Sequence, residues 1–195
     1  MLETLFSSLG LGWKAAFFGV EVFQAAGATE ELRRQTLVML VVAGISRAIG
    51  TVAILALNQV HGKRYPLVFF VEGLVFAFAA LAHALAAVAA DWLFFENRVP
   101  DAQLFWIVAL AHGPYLLGFL VLMPYFGEGI DRLLRLWSTL LIFFALHWAF
   151  GMPAHVAVLV AVAGWLTYAV ISAVIGRPFR GLAAAARRLA AGGPA

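Results

Sequence analysis

The stretch MLVVAGISRAIGTVAIL, residues 39–55, decides the fold class because it is an apolar run that carries one arginine at its centre. Such a run is typical of a membrane-spanning helix, and about 20 apolar residues cross a bilayer. A central arginine costs about 2.5 to 3.5 kcal/mol on insertion scales, so Arg47 should face protein, water or an anionic group. The stretch therefore predicts a protein-facing first span.

The composition of the whole chain supports a membrane environment. Its 195 residues are 64% hydrophobic and 12% charged, far from the values of soluble proteins. The absence of cysteine excludes disulfides, thiol catalysis and thiolate metal sites. The net charge of +3 comes from basic residues in short loops and a tail, a pattern that membrane topology explains better than nucleic-acid binding. The predicted partner is the lipid bilayer, and no nucleic-acid partner is expected.

Apolar runs separated by polar turns predict an all-α membrane domain over residues 28–176. Its five spans are expected at about 36–60, 67–95, 103–123, 133–150 and 154–176. Thr29, followed by two acidic residues, should cap the helix that becomes the first span. The acidic start MLETLF argues against a removable signal peptide.

Two flanking segments are expected to lie on the membrane surface. Residues 1–27 show apolar side chains at three- and four-residue steps, which predicts an interfacial amphipathic helix. Residues 177–195 form a basic tail. Basic residues predominate on the predicted side of the C-terminus, which indicates a cytoplasmic C-terminus in a bacterial cytoplasmic membrane. That side holds Lys63, Arg64, Arg132, Arg135 and the tail arginines, and the other holds Lys14, Arg33, Arg34 and Arg98.

The segment from 111 to 166 resembles the later spans of bacterial members of the Yip (Ypt-interacting protein) domain family. It begins AHGPYLLGFLVLMPYFGEG, with one proline early in a span and another at its end before a glycine turn. A tryptophan in the next span and an alanine-rich helix after a short break complete the pattern. The segment ATEELRRQTLVMLVVAGIS is similar to the start of the family's first span. The resemblance covers about residues 28–176.

This resemblance implies five helical spans and a role in membrane organisation or protein interaction, without catalytic residues. Eukaryotic relatives bind prenylated small GTPases, but the acidic-aromatic-Gly-Pro signature that those members carry is missing from this sequence. GTPase binding is therefore not expected.

The partner of Arg47 is the main open question. Reflecting position 47 through a turn near 63–64 reaches about residue 80, so Glu72 should lie roughly 12 Å away along the neighbouring helix, too far for a direct pair. The remaining candidates are His83, the Leu110 carbonyl freed by the helix break at Pro114, or a group outside the chain. Three roles for Arg47 are open. It is a structural residue that hydrogen-bonds groups of neighbouring helices, a contact to a ligand, lipid or partner, or part of a transport pathway. Glu72 is expected to extend toward Lys63 and Arg64.

Small residues surround Arg47 on its helix. Gly44 with Ala48, and Ser46 with Gly50, each form a small-xxx-small pair that favours close helix packing. The neighbour is either another helix of this chain, a protein partner or a second copy.

Three histidines, His83, His112 and His147, fall within predicted spans, whereas His61 and His155 fall at loops. The three form no i, i+4 pair and have no carboxylate at ligand spacing, so hydrogen bonding between helices is predicted, with no metal and no cofactor. Ligation of a haem or pigment by one of them is the alternative.

These features predict a non-enzymatic, Yip-like membrane organiser or protein-interaction scaffold. One alternative is an accessory subunit of a larger respiratory, photosynthetic or secretion complex. Another is a transporter or channel that uses Arg47 and Glu72. The sequence EELRR at 30–34 lacks the arginine that intramembrane proteases of the CAAX type need after their paired glutamates, because Gln35 stands there.

Overall fold

A computed structural model describes residues 2–57, 65–94, 99–123, 126–167 and 169–170. Every regular element in these ranges is a helix, and none of them contains a strand, which confirms the predicted all-α class. The α-helices are α1 (Leu2–Ala16), α2 (Val20–Gln24), α3 (Glu30–Leu57), α4 (Tyr65–Phe94), α5 (Asp101–Ala111), α6 (Gly127–Phe144) and α7 (Ala154–Thr167). A 3₁₀ segment, Gly113–Leu122, follows α5, and a π-helical turn, Ala145–Ala149, follows α6.

The described residues contain three helices long and apolar enough to cross a membrane: Glu30–Ile54, Tyr65–Leu93 and Asp101–Leu122. They lie where the first three spans are predicted. Helix α6 covers the predicted fourth span but begins six residues earlier than 133 and carries charged residues in its first half. Helix α7 is a shorter apolar helix. The end of the predicted fifth span and the whole basic tail lie outside the described residues.

Helix α3 begins where its sequence provides a cap. The hydroxyl of Thr29 accepts a hydrogen bond from the backbone N–H of Leu32 at 3.2 Å, which satisfies one unpaired donor of the first turn. Glu30 and Glu31 place negative charge at the same end, where the helix dipole favours it. The predicted cap is therefore confirmed.

Helix α1 packs on the bundle through a face of small residues. Ser8 and Ala15 are fully buried, and a Cβ at Gly12 would lie 2.7 to 3.0 Å from its nearest neighbours, which include the side chain of Met39. The backbone of Gly12 also lies against Gly113, midway along the third apolar helix. Aromatic side chains such as Trp13 remain exposed on the other face of α1.

Helix α4 buries small side chains and exposes several large ones. Five of its alanines are buried against the bundle: Ala79, Ala80, Ala84, Ala87 and Ala90. Five of its large apolar side chains are exposed: Phe70, Leu74, Phe78, Leu81 and Leu85. This division suits a membrane helix, because small residues allow close approach of backbones while large apolar ones face lipid or a partner.

Candidate functional site

Arg47 forms ion pairs with acidic residues from two other helices. Its Nη1 lies 3.7 Å from Oε2 of Glu72 on α4. Its Nε donates a hydrogen bond to Oδ1 of Asp131 on α6 at 3.2 Å. The side chains of Arg47 and Asp131 are each 16% exposed, and that of Glu72 is 29% exposed. Arg47 therefore joins α3, α4 and α6 through largely buried charges.

A second arginine completes this arrangement. Arg135 lies one turn after Asp131 on α6, and its Nη2 donates to Oδ2 of the same carboxylate. The four residues Arg47, Glu72, Asp131 and Arg135 are called the charge cluster below. Two arginines and two carboxylates give the cluster a formal charge of zero, so each buried charge has an opposite charge beside it.

The expectation that Glu72 lies too far from Arg47 is wrong, because the two side chains form the 3.7 Å pair. That expectation used only the rise per residue along the two helices, counted from the turn that joins them. Arginine and glutamate have long, flexible side chains, and these can close a gap between residues at different depths.

Asp131 and Arg135 are functional candidates that sequence reasoning missed. Asp131 lies before the predicted start of the fourth span at 133, and Arg135 enters the prediction only in the count of basic residues, whereas both lie on α6, which begins at Gly127. The signal that could have found them is their i, i+4 spacing, which places an acid and a base side by side on a helix.

Close packing of α3 on the 3₁₀ segment fixes the position of Arg47. A Cβ at Gly50 would lie 2.8 Å from the carbonyl oxygen of Gly118, and a Cβ at Gly118 would lie 2.9 Å from the backbone nitrogen of Arg47. On the neighbouring face, a Cβ at Gly44 would lie 3.0 Å from the ring of Phe76 on α4. Ala48 is fully buried. The small residues around Arg47 thus pack against helices of their own chain.

Ser46 binds the backbone of the 3₁₀ segment directly. Its hydroxyl donates to the carbonyl of Leu116 at 2.8 Å and accepts from the N–H of Phe119 at 3.0 Å. Pro114, near the start of the segment, lacks an N–H and lies where the α-helical turns of α5 give way to 3₁₀ turns. A side-chain hydroxyl that satisfies backbone groups is what an irregular helix needs away from water.

Two of the predicted histidines lie together in the interior. The rings of His83 and His112 have centroids 5.8 Å apart, and both side chains are buried. Phe76 and Tyr115 pack against the His112 ring at centroid distances of 5.7 and 5.9 Å. Nδ1 of His112 lies 2.7 Å from the carbonyl oxygen of Val108, one turn earlier on α5. His83 and His112 are called the histidine pair below.

The other histidines lie elsewhere. Nδ1 of His147 is 2.7 Å from the carbonyl oxygen of Met152, so His147 bridges the turn after α6. His155 is exposed near the start of α7, and His61 lies outside the described residues. The structure therefore brings two of the three intramembrane candidates together and leaves His147 apart.

Among the described residues, no group of three or more His, Asp or Glu side chains is arranged to hold a metal ion. No protein-family model, curated protein or solved structure matches the chain. The charge cluster and the histidine pair are thus the features from which a function has to be argued.

Proposed function

We propose that this protein is a non-enzymatic, Yip-like membrane scaffold that acts through protein interactions and is held in shape by its charge cluster. In this proposal the chain has five spans, with α1 associated with the membrane interface and the C-terminus in the bacterial cytoplasm. An accessory subunit of a larger membrane complex is the same proposal with a fixed, stoichiometric partner.

The observation that carries the proposal is the internal pairing of the charges. Asp131 contacts both arginines, Glu72 contacts Arg47, and the formal charges cancel. A charged residue that binds a transported ion must exchange its partner during each transport cycle. These four charges already have partners within the bundle. The cluster is therefore suited to fix the relative positions of α3, α4 and α6.

The outward faces of the bundle give the scaffold its surface for partners. Large apolar side chains follow one face of α4, and similar side chains are exposed on α3 and α6. A rigid interior keeps these faces in a fixed arrangement, which is what a binding surface between membrane helices requires.

Photo-crosslinking in native membranes tests the proposal. A photoreactive amino acid is placed at Ile45 on α3, Leu74 on α4 or Leu136 on α6, which are exposed positions. The matched control is Leu141, a buried position on α6. A scaffold predicts a discrete protein adduct from at least one exposed position and none from the control. Lipid adducts alone at all three exposed positions would contradict it.

Transport is the second candidate, because the histidine pair lies in the bundle interior and a cavity that His83 and His112 line also reaches Arg135 of the charge cluster. Polar groups of this kind can form a pathway for protons or small ions. A scaffold predicts that proteoliposomes with the purified protein are no more permeable to protons or chloride than empty ones. Flux that is lost in a folded Arg47→Leu variant would favour transport.

A further inference from the structure

A small cavity lies where four elements of the bundle meet. Its wall includes His83 from α4, Tyr115 from the 3₁₀ segment, Ser138 and Arg135 from α6, and Trp165 from α7. Its volume open to the centre of a water molecule is about 10 Å³. A polar cavity needs about 10 to 15 Å³ of such volume to hold one water. The cavity therefore has room for a ligand about the size of one water molecule.

Two buried polar atoms in the cavity wall make no hydrogen bond among the described residues. His83 and Ser138 are each only 3% exposed. Neither Nε2 of His83 nor Oγ of Ser138 has a hydrogen-bond partner among the described residues. A buried polar atom without a partner costs about 1 to 3 kcal/mol. One ligand in the cavity that bonds both atoms would remove two such costs.

The charges around the cavity favour a neutral ligand. Arg135 is the charged residue of the cavity wall. Its guanidinium already forms an ion pair with Asp131, which is not part of the wall. An anion would therefore meet little uncompensated positive charge, and the small volume also favours water.

We propose that this cavity is a binding site for a single water molecule that hydrogen-bonds Nε2 of His83 and Oγ of Ser138. The guanidinium of Arg135 or the hydroxyl of Thr139, which also line the cavity, supplies a third partner. Water can act as donor or acceptor, so it suits either tautomer of the histidine.

The bound water has a structural consequence for the whole bundle. When Arg135 is the third partner, the water connects His83 to Arg135, and Arg135 is joined through Asp131 to Arg47 and Glu72. Polar groups of α3, α4 and α6 then form one continuous chain of hydrogen bonds and ion pairs. Helix α7 closes one side of the site, because the His83 ring packs directly on Gly164, where a side chain would not fit.

A crystal structure of the full-length protein grown in sodium bromide tests the proposal. The expected result is a density peak in the cavity about 2.7 to 3.2 Å from both atoms, without anomalous scattering at the bromine edge. An empty cavity would overturn the proposal, and an anomalous peak would assign the site to a halide instead. The wild-type crystal gives this answer without any variant.

A Ser138→Val variant adds a second test, because it removes the hydroxyl and fills the space. Loss of the peak is expected. The matched control is Ser7→Val on α1, where the serine is exposed and the peak should remain. A peak that persists unchanged in folded Ser138→Val would show that the ligand does not depend on this hydroxyl and would overturn the assignment.

Discussion

Nε of Arg47 lies 3.2 Å from Oδ1 of Asp131, although the two residues are 84 positions apart in the chain. The contact joins α3 to α6 in the interior of the bundle, and the pair of Arg47 with Glu72 adds α4. The charge cluster is therefore a tertiary feature, and the predictions below follow from its burial and its packing.

Removing Arg47 should destabilise the protein strongly. In an Arg47→Leu variant, Glu72 loses its ion pair with Arg47 and the cluster keeps an excess negative charge. Breaking a buried ion pair by removing one partner costs about 3 to 5 kcal/mol. The free energy of unfolding in mixed micelles, from titration with a denaturing detergent, measures the loss.

The matched control for that variant is Arg132→Leu. Arg132 pairs with Glu128 one turn away on α6, but its side chain is 74% exposed. An exposed pair of this kind contributes about 0 to 1 kcal/mol. Equal losses in the two variants would mean that the burial of Arg47 has no energetic consequence.

Adding one methyl group at Gly50, in the close contact beside Arg47, should lower the free energy of unfolding. Gly50→Ala places a Cβ 2.8 Å from the carbonyl oxygen of Gly118, so α3 and the 3₁₀ segment must separate. Overpacking of this kind costs about 1 to 3 kcal/mol. Gly73→Ala on α4 is the control, because its Cβ meets nothing within 4 Å. It should be neutral or stabilising by up to about 1 kcal/mol, since alanine favours helix.

The comparison of these two variants uses the same unfolding titration. A Gly50→Ala protein as stable as the Gly73→Ala protein would show that α3 and the 3₁₀ segment do not approach each other as closely as Gly50 and Gly118 indicate.

The Ser46 hydroxyl should stabilise the contact between α3 and the 3₁₀ segment. Ser46→Ala leaves the carbonyl of Leu116 and the N–H of Phe119 without their side-chain partner. Unsatisfied buried groups of this kind cost about 1 to 3 kcal/mol. Thr51→Val is the control, since the Thr51 hydroxyl bonds only the carbonyl of Arg47 on its own helix at 3.4 Å. Hydrogen exchange at the Phe119 amide should accelerate in Ser46→Ala and stay unchanged in Thr51→Val.

Much of the architecture could be predicted from the sequence, because apolar runs of the right length leave few alternatives to membrane helices. The Thr29 cap was predictable for a similar reason, since it depends on residues close together in the chain. The start of α6 was not, because Glu128, Asp131, Arg132 and Arg135 lower the hydropathy of a segment that is helical. Of these residues, Asp131 is largely buried, and its burial depends on Arg47 from another helix.

The candidate site was predictable only in part. Arg47, Glu72, His83 and His112 stood out as polar residues in apolar runs, but their pairing depends on helix crossing and side-chain reach, which spacing along one helix does not reveal. The apolar pattern of residues 1–27 predicts one interfacial helix, whereas the structure has α1 and α2 there. The pattern did not indicate that the small-residue face with Gly12 packs against Gly113 in the bundle.

The most direct test of the central claim is a double-mutant cycle on Arg47→Met and Glu72→Gln, with the free energy of unfolding measured for both single variants and the double variant. The pair of Asp131 with Arg135 stays intact in all of them, so the cycle isolates the link between α3 and α4. We expect the double variant to be more stable than the sum of the single losses predicts, by about 0.5 to 3 kcal/mol. Losses that add within about 0.3 to 0.5 kcal/mol would contradict the claim that these buried charges hold the helices together.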